Sequence, residues 1–149
     1  PQFISSSYRH YAIDFDGDDI IDIWNNPDDA IGSVANYFAE HGWQKDKPVV
    51  ARVKVEGDKY KGVLGNGLKP DVDESELKKL GIKSNSLFEK NEKLKLFEYE
   101  QKNANEYWLA HKNFYVITRY NHSHLYAMAV YQLASEITKR INNSSQASD

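Results

Sequence analysis

The stretch at residues 11–24, YAIDFDGDDIIDIW, constrains the chain most. Asp14, Asp16, Asp18 and Asp22 recur at every second or fourth position, hemmed by isoleucines that favour burial. Carboxylates this close repel one another unless water or a cation neutralises them. Three arrangements resolve the conflict: a divalent ion among the oxygens, a phosphate-transfer site built on an aspartate, or an unliganded solvated turn.

Calcium accounts for the spacing best. An EF-hand-type loop takes oxygen ligands from positions 1, 3 and 5, a backbone carbonyl from position 7, and a carboxylate near its end. Here those are Asp14, Asp16, Asp18 and the carbonyl of Ile20, with Ile21 as the apolar anchor. Asp19 stands at position 6, where a left-handed turn normally calls for glycine; aspartate tolerates that conformation better than most residues. Asn25 occupies the closing position and cannot chelate as a carboxylate, so the last ligand falls to Asp28 or Asp29 at the start of the next helix. The phosphatase alternative, of haloacid-dehalogenase type, reads YAIDFDGD as a D-x-D-G nucleophile motif. It requires a doubly wound parallel sheet, and Asp18 replaces the hydroxyl residue of that motif.

The chain divides by texture into three regions and a tail. Residues 1–43 are aromatic-rich and end in a helix: Pro27 suits its first turn, Asp28 and Asp29 its positive end, and Gly42 its close. Ala30, Ile31, Val34, Ala35 and Phe38 form its apolar face, which the spacing marks for burial. Residues 44–106 form a small mixed α/β insertion. PVVARVKVEG alternates as a half-exposed strand, DESELKKLGI is a short helix closed by Gly81, and KLKLFEYEQ is a second strand. Residues 107–141 return to the first region, ending in a largely buried helix with Tyr126, Val130, Leu133, Ile137 and Ile141 on one face. Residues 142–149 form a disordered tail. Trp24, Trp43 and Trp108 are expected in the core, and His122 and His124 in cap or core roles.

Bulk composition excludes several classes. The 149 residues include 40% hydrophobic and 13% aromatic side chains, enough for a packed core. A net charge of −3 with interspersed signs leaves no basic footprint for nucleic acid. The absence of cysteine removes disulfides, thiolate zinc sites and cysteine nucleophiles.

Three strings, PQFISSSYRHYAIDFDGD, DAIGSVANYFAEHGW and NFYVITRYNHSHLYAMAV, together resemble the membrane-bound lytic transglycosylase B family of peptidoglycan-cleaving enzymes. The likeness is close over residues 2–43 and 107–133 and loose between them. It implies an α+β fold: a mostly helical, lysozyme-like core segment, an EF-hand-like calcium loop and a small mixed α/β insertion. It implies structural Ca2+ held by Asp14, Asp16, Asp18, the Ile20 carbonyl and Asp29. It also implies cleavage of the bond between N-acetylmuramic acid and N-acetylglucosamine with a 1,6-anhydromuramoyl product. One glutamic acid serves as acid and then base, and the substrate's own 6-hydroxyl is the nucleophile. That glutamate lies upstream of the QF motif in the family, hence before Pro1. Neither Glu40 nor Glu106 matches it.

The chain therefore reads as the carboxy-terminal part of such an enzyme, inactive alone, with Gln2, Phe3, Tyr37, Tyr120, Asn121 and Tyr126 as substrate contacts. Amides and phenols suit sugar hydroxyls and acetamido groups, and aromatic faces suit pyranose rings. Partners implied are peptidoglycan glycan strands and no nucleic acid. The setting implied is a periplasmic monomer, with room for an outer-membrane lipid anchor in the full-length parent. The alternative is a non-catalytic, calcium-stabilised peptidoglycan-binding module. The upstream sequence separates the two.

Overall fold

A computed structural model describes residues 3–85, 88–89 and 91–146. The chain parts into two compact units, residues 1–45 and 46–149.

The first unit holds two helices, α1 (Ser5–Tyr11) and α2 (Pro27–Glu40), joined by the aspartate-rich loop. Asn26 caps α2: its side-chain oxygen accepts from the amides of Asp28 and Asp29, satisfying donors that a helix start leaves unpaired. Gly42 follows with φ of 85°, as its helix-closing position predicts.

The buried face of α2 is not the apolar one. Asp29, Gly32, Ser33 and Tyr37 are buried, whereas Ile31 is 68% exposed. The polar residues line up at successive turns and hold the chain where it leaves α1, residues 11–15. Asp29 Oδ1 accepts the Phe15 N–H at 2.8 Å and Ser33 Oγ accepts the Ile13 N–H at 2.9 Å. One turn on, Asn36 Nδ2 donates to the Tyr11 carbonyl at 3.1 Å. Among the described residues that segment has no strand partner, so its backbone polar groups find side chains instead. Gly32 completes the face: a Cβ there would meet Phe15 Cγ at 2.4 Å.

The second unit is built on a five-stranded sheet in the order β2-β4-β5-β1-β3. Its strands are β1 (Val50–Val55), β2 (Val72–Asp73), β3 (Ile82–Lys83), β4 (Lys93–Tyr99) and β5 (Glu106–Ala110). Every pairing is antiparallel, which removes the parallel sheet that a phosphatase of haloacid-dehalogenase type requires. The helices are α3 (Glu74–Leu77), α4 (Lys112–Tyr120) and α5 (His124–Gln146). Val53, Tyr60, Val72, Leu77, Leu94, Leu96 and Leu109 form the core on one side of the sheet. Lys95 on β4 is 1% exposed and is satisfied by Asp71 Oδ2 at 2.8 Å and the Val63 carbonyl at 3.4 Å. Gly81, with φ of 75°, lies so near the Glu56 carbonyl that a Cβ would sit 2.1 Å from its oxygen.

Four further expectations change. The boundary drawn at residue 106 falls inside β5, the strand that joins β4 to β1. The expected buried helix, α5, buries only its first turns, including Ala127 and Met128; Leu133, Ile137 and Ile141 are each about half exposed or more, at 63%, 48% and 60%. Residues 142–146, expected to be disordered, continue α5, and residues 147–149 lie outside the described residues. Trp24, expected in the core, is 73% exposed and lies against Tyr8 with ring centroids 5.0 Å apart. Among the described residues, no helix is long and apolar enough to cross a membrane.

The ladder on α2 makes a direct prediction. Hydrogen bonds to a buried charged acceptor are worth about 1.5–3 kcal/mol each. Asp29→Ala should therefore cost about 3 kcal/mol or more and abolish hydrogen-exchange protection at the Phe15 and Asp22 amides. Exposed Asp28→Ala should leave that protection intact. Unchanged protection in Asp29→Ala would contradict the ladder.

Candidate functional site

The loop between α1 and α2 turns inward on its own carboxylates. Asp14 Oδ1 accepts the Gly17 N–H at 2.7 Å and Oδ2 accepts the Asp19 N–H at 2.8 Å. Asp18 Oδ1 accepts the Ile20 N–H at 2.9 Å, and Asp16 Oδ2 accepts from Asn26 Nδ2 at 2.8 Å. Gly17 and Asp19 supply the left-handed corners, with φ of 80° and 67°; Asp19 adopts the conformation its loop position demands. Loss of solvent pushes the Asp14 carboxyl up, but the amides of Gly17, Asp19 and Asp18 outweigh this and hold it below the ordinary aspartate range. The Asn25 side chain and amide do the same for Asp22.

The result is convergence. One carboxylate oxygen each from Asp14, Asp16 and Asp18 lies within 4.8 Å of the others. Asp29 is not in that cluster. It is fully buried and bridges the loop, taking the Phe15 amide on Oδ1 and the Asp22 amide on Oδ2, each at 2.8 Å. Each of its oxygens keeps a second lone pair. The donor set is all oxygen and anionic, the chemistry of a hard cation such as calcium rather than of zinc or copper. Ile21 is not a buried anchor: it is 42% exposed, and its carbonyl accepts from the Tyr8 hydroxyl at 3.1 Å. Ile23 is the buried isoleucine of the loop, 4% exposed.

The other residues singled out by sequence fall into two groups. In the first unit, Tyr37 is buried in an aromatic cluster, stacked on His41 at 3.9 Å, with Tyr11 edge-on at 4.8 Å and Phe3 at 6.0 Å. Gln2 lies outside the described residues. In the second unit, Tyr120, Asn121 and Tyr126 share the turn between α4 and α5, all half-buried. Asn121 follows α4 as its C-cap, its N–H donating to the Ile117 carbonyl at 3.3 Å. Ser123 immediately precedes α5, its hydroxyl accepting from the Tyr126 amide at 3.2 Å. The rings of Tyr120 and Tyr126 lie 6.5 Å apart at 26°, offering two roughly parallel faces beside an amide.

Neither candidate acid is poised for proton transfer. Glu40 is exposed at the end of α2. Glu106 is paired with Arg52 at 2.8 Å and accepts from Trp108 Nε1 at 3.3 Å. The sequence reading missed Asn26, Ser33 and Asn36, which fix the loop and its approach. The Asn-Pro pair at a helix start was the available signal for Asn26; for the other two, polar residues at helical spacing opposite an apolar stripe look like a solvated face.

A family model described as a transglycosylase SLT domain matches residues 1–135. The membrane-bound lytic murein transglycosylase B of Escherichia coli K12 is 41% identical over 136 residues, covering 91% of this chain and 36% of that protein. The crystal structure of soluble lytic transglycosylase SltB1 from Pseudomonas aeruginosa superposes with a TM-score of 0.88 at 44% identity, over 95% of this chain and 47% of that one. The Escherichia coli lytic transglycosylase Slt35, solved in complex with calcium, gives 0.82 at 40% identity, over 93% and 43%. The chain thus spans less than half the length of each of these relatives. The antiparallel sheet and helices agree with the expected α+β class, and the chain belongs to the SLT-domain family of lytic murein transglycosylases.

Proposed function

We propose that this chain forms the calcium-holding, groove-lining part of a peptidoglycan lytic transglycosylase. The observation that carries the reading is the convergence of the Asp14, Asp16 and Asp18 oxygens on a loop hung from buried Asp29. Calcium, held by these three carboxylates, the Ile20 carbonyl and Asp29 in an EF-hand-like loop, supplies charge neutralisation and no chemistry at the substrate. A calcium complex of the relative Slt35 supports the choice of ion.

The remaining residues bind. Gln2 and Asn121 hydrogen-bond acetamido and hydroxyl groups, Tyr120 and Tyr126 present faces and phenols to pyranose rings, and Phe3 and Tyr37 are further sugar contacts. The reaction is non-hydrolytic cleavage between N-acetylmuramic acid and N-acetylglucosamine. A glutamic acid protonates the leaving oxygen and then accepts the proton of the 6-hydroxyl as the 1,6-anhydro ring closes. Glu40 and Glu106 do not fill that role, and the glutamate belongs to the part of the relatives' fold that this chain does not match. The outward apolar faces of α2 and α5 fit the same reading, as surfaces for that remaining part. Peptidoglycan strands as partner and a periplasmic, outer-membrane-associated setting follow from it.

Calcium should raise the melting temperature, because a ligand selective for the folded state stabilises it by mass action, about 2.7 kcal/mol at a hundredfold excess over Kd. Extracellular calcium modules bind at about 10⁻⁴–10⁻³ M, which sets the titration range. Asp18→Ala should abolish the increment; an unchanged calcium response would remove Asp18 from the ligand set.

Pull-down with murein sacculi tests the groove. The chain should sediment with sacculi, and Asn121→Ala should weaken this about tenfold, the equivalent of one lost hydrogen bond. Product analysis of the same mixture should show no anhydromuropeptides, and their release would place the catalytic acid within these residues.

A further inference from the structure

Two of the eight glycines follow an aspartate or an asparagine, at Asp16–Gly17 and Asn66–Gly67. In such pairs the backbone can attack the side chain. The glycine nitrogen reaches the Cγ of the residue before it, and no Cβ crowds the five-membered ring that would form. What holds the two groups decides whether it does. At Asp16–Gly17 both are held. The Gly17 N–H donates to Asp14 Oδ1 at 2.7 Å, and the Asp16 carboxylate accepts from the Asp18 amide at 3.3 Å and from Asn26 Nδ2 at 2.8 Å. At Asn66–Gly67 neither is held: among the described residues, no hydrogen bond engages the Asn66 side chain or the Gly67 N–H.

The surrounding loop leaves this pair free to rearrange. Asn66 and Gly67 are both exposed, shortly after the single-turn 3₁₀ helix Lys59–Val63. Gly65 and Gly67 adopt φ of 78° and 77°, and a Cβ on either would meet nothing within 4 Å. Behind the loop lies a cavity of about 360 Å³, lined by Gly65 and Gly67 together with Leu96, Phe97 and His124, while Asn66 stays on the solvent side. The ends of the loop, by contrast, are pinned by one buried ammonium. Lys95 Nζ donates to the Val63 carbonyl at 3.4 Å and to Asp71 Oδ2 at 2.8 Å. A change at residue 66 is therefore confined to the loop and leaves the sheet intact.

We propose that Asn66 is a site of spontaneous covalent modification, with the Gly67 backbone nitrogen as its nucleophile. Hydroxide takes the Gly67 amide proton, the nitrogen bonds to Asn66 Cγ, and the Cγ–Nδ2 bond breaks as ammonia leaves with a proton from water. Water then opens the resulting succinimide. Breaking the new N–Cγ bond gives aspartate; breaking the original peptide bond gives isoaspartate, whose main chain runs through Cβ and Cγ and is one atom longer. Nothing is oxidised or reduced, and water and hydroxide are the only co-reactants. Either product adds one negative charge to the −3 of the chain. The flanking glycines accommodate the rerouted backbone, because glycine populates both signs of φ. The loop thus changes in charge and backbone as the molecule ages, and it does so without calcium or glycan.

Peptide mapping of the full folded chain, held in mildly alkaline buffer, tests this against a synthetic peptide of residues 62–78. Trypsin releases the same segment from the chain, and Asn66 is its sole amide side chain. That segment should gain the mass difference between OH and NH2. It should also split into two chromatographic products, aspartate and isoaspartate, at the rate of the free peptide. The tryptic peptide of residues 10–45, which carries Asp16–Gly17, should stay single. Asn66→Gln, whose extra methylene demands a six-membered ring, should abolish the conversion and leave the melting temperature unchanged. Retention of Asn66 in the folded chain while the free peptide converts would overturn the proposal, because the fold would then shield the pair. Splitting of the Asp16–Gly17 peptide at the same rate would show that hydrogen bonding does not select the site, and would overturn it too. A single aspartate product would mean direct hydrolysis and remove Gly67 as the nucleophile.

Discussion

One buried carboxylate organises the first unit. Asp29 sits in the first turn of α2, where the helix dipole favours negative charge, and its two oxygens take backbone amides from both flanks of the acidic loop. A loop pinned at Phe15 and Asp22 has to turn back on itself within a few residues. The left-handed corners at Gly17 and Asp19 allow this, and they bring Asp14, Asp16 and Asp18 together. Convergence of three carboxylates costs repulsion, which loop amides reduce and which a divalent ion would remove. Fold and site are here the same hydrogen bonds.

That constraint also explains why α2 turns its polar side inward. A segment without a strand partner among the described residues must satisfy its backbone through side chains, so Asp29, Ser33 and Asn36 face residues 11–15. Hydrophobic periodicity located the helix and its ends, and then chose the wrong face. The same happened in α5, whose Leu133, Ile137 and Ile141 are exposed. Periodicity reports which face prefers burial, whereas partners decide which face obtains it, and the chain spans less than half of each relative's length.

Local chemistry was legible where it is carried by backbone geometry. The Pro27 start and Gly42 end of α2, the strands β1 and β4, and the left-handed Asp19 all follow from residue type and spacing. β5 was not legible. Its Leu109 and Ala110 are consecutive and both buried, because a central strand is covered on both faces and loses the alternation that marks a half-exposed one. Trp24 was assigned to the core, yet it lies on the surface against Tyr8. Of the proposed sugar-binding residues, Tyr120, Asn121 and Tyr126 were recognisable as a motif, while the two-residue strand β2 leaves no local pattern to find.

The central claim is that the acidic loop exists to surround a calcium ion. A crystal of the chain grown in calcium, with anomalous differences measured at long wavelength, tests it most directly. The account predicts one strong peak with oxygen ligands at about 2.3–2.6 Å, supplied by Asp14, Asp16, Asp18, the Ile20 carbonyl and Asp29. A calcium-saturated crystal with no peak in the loop, or with those carboxylates turned apart into solvent, would contradict it.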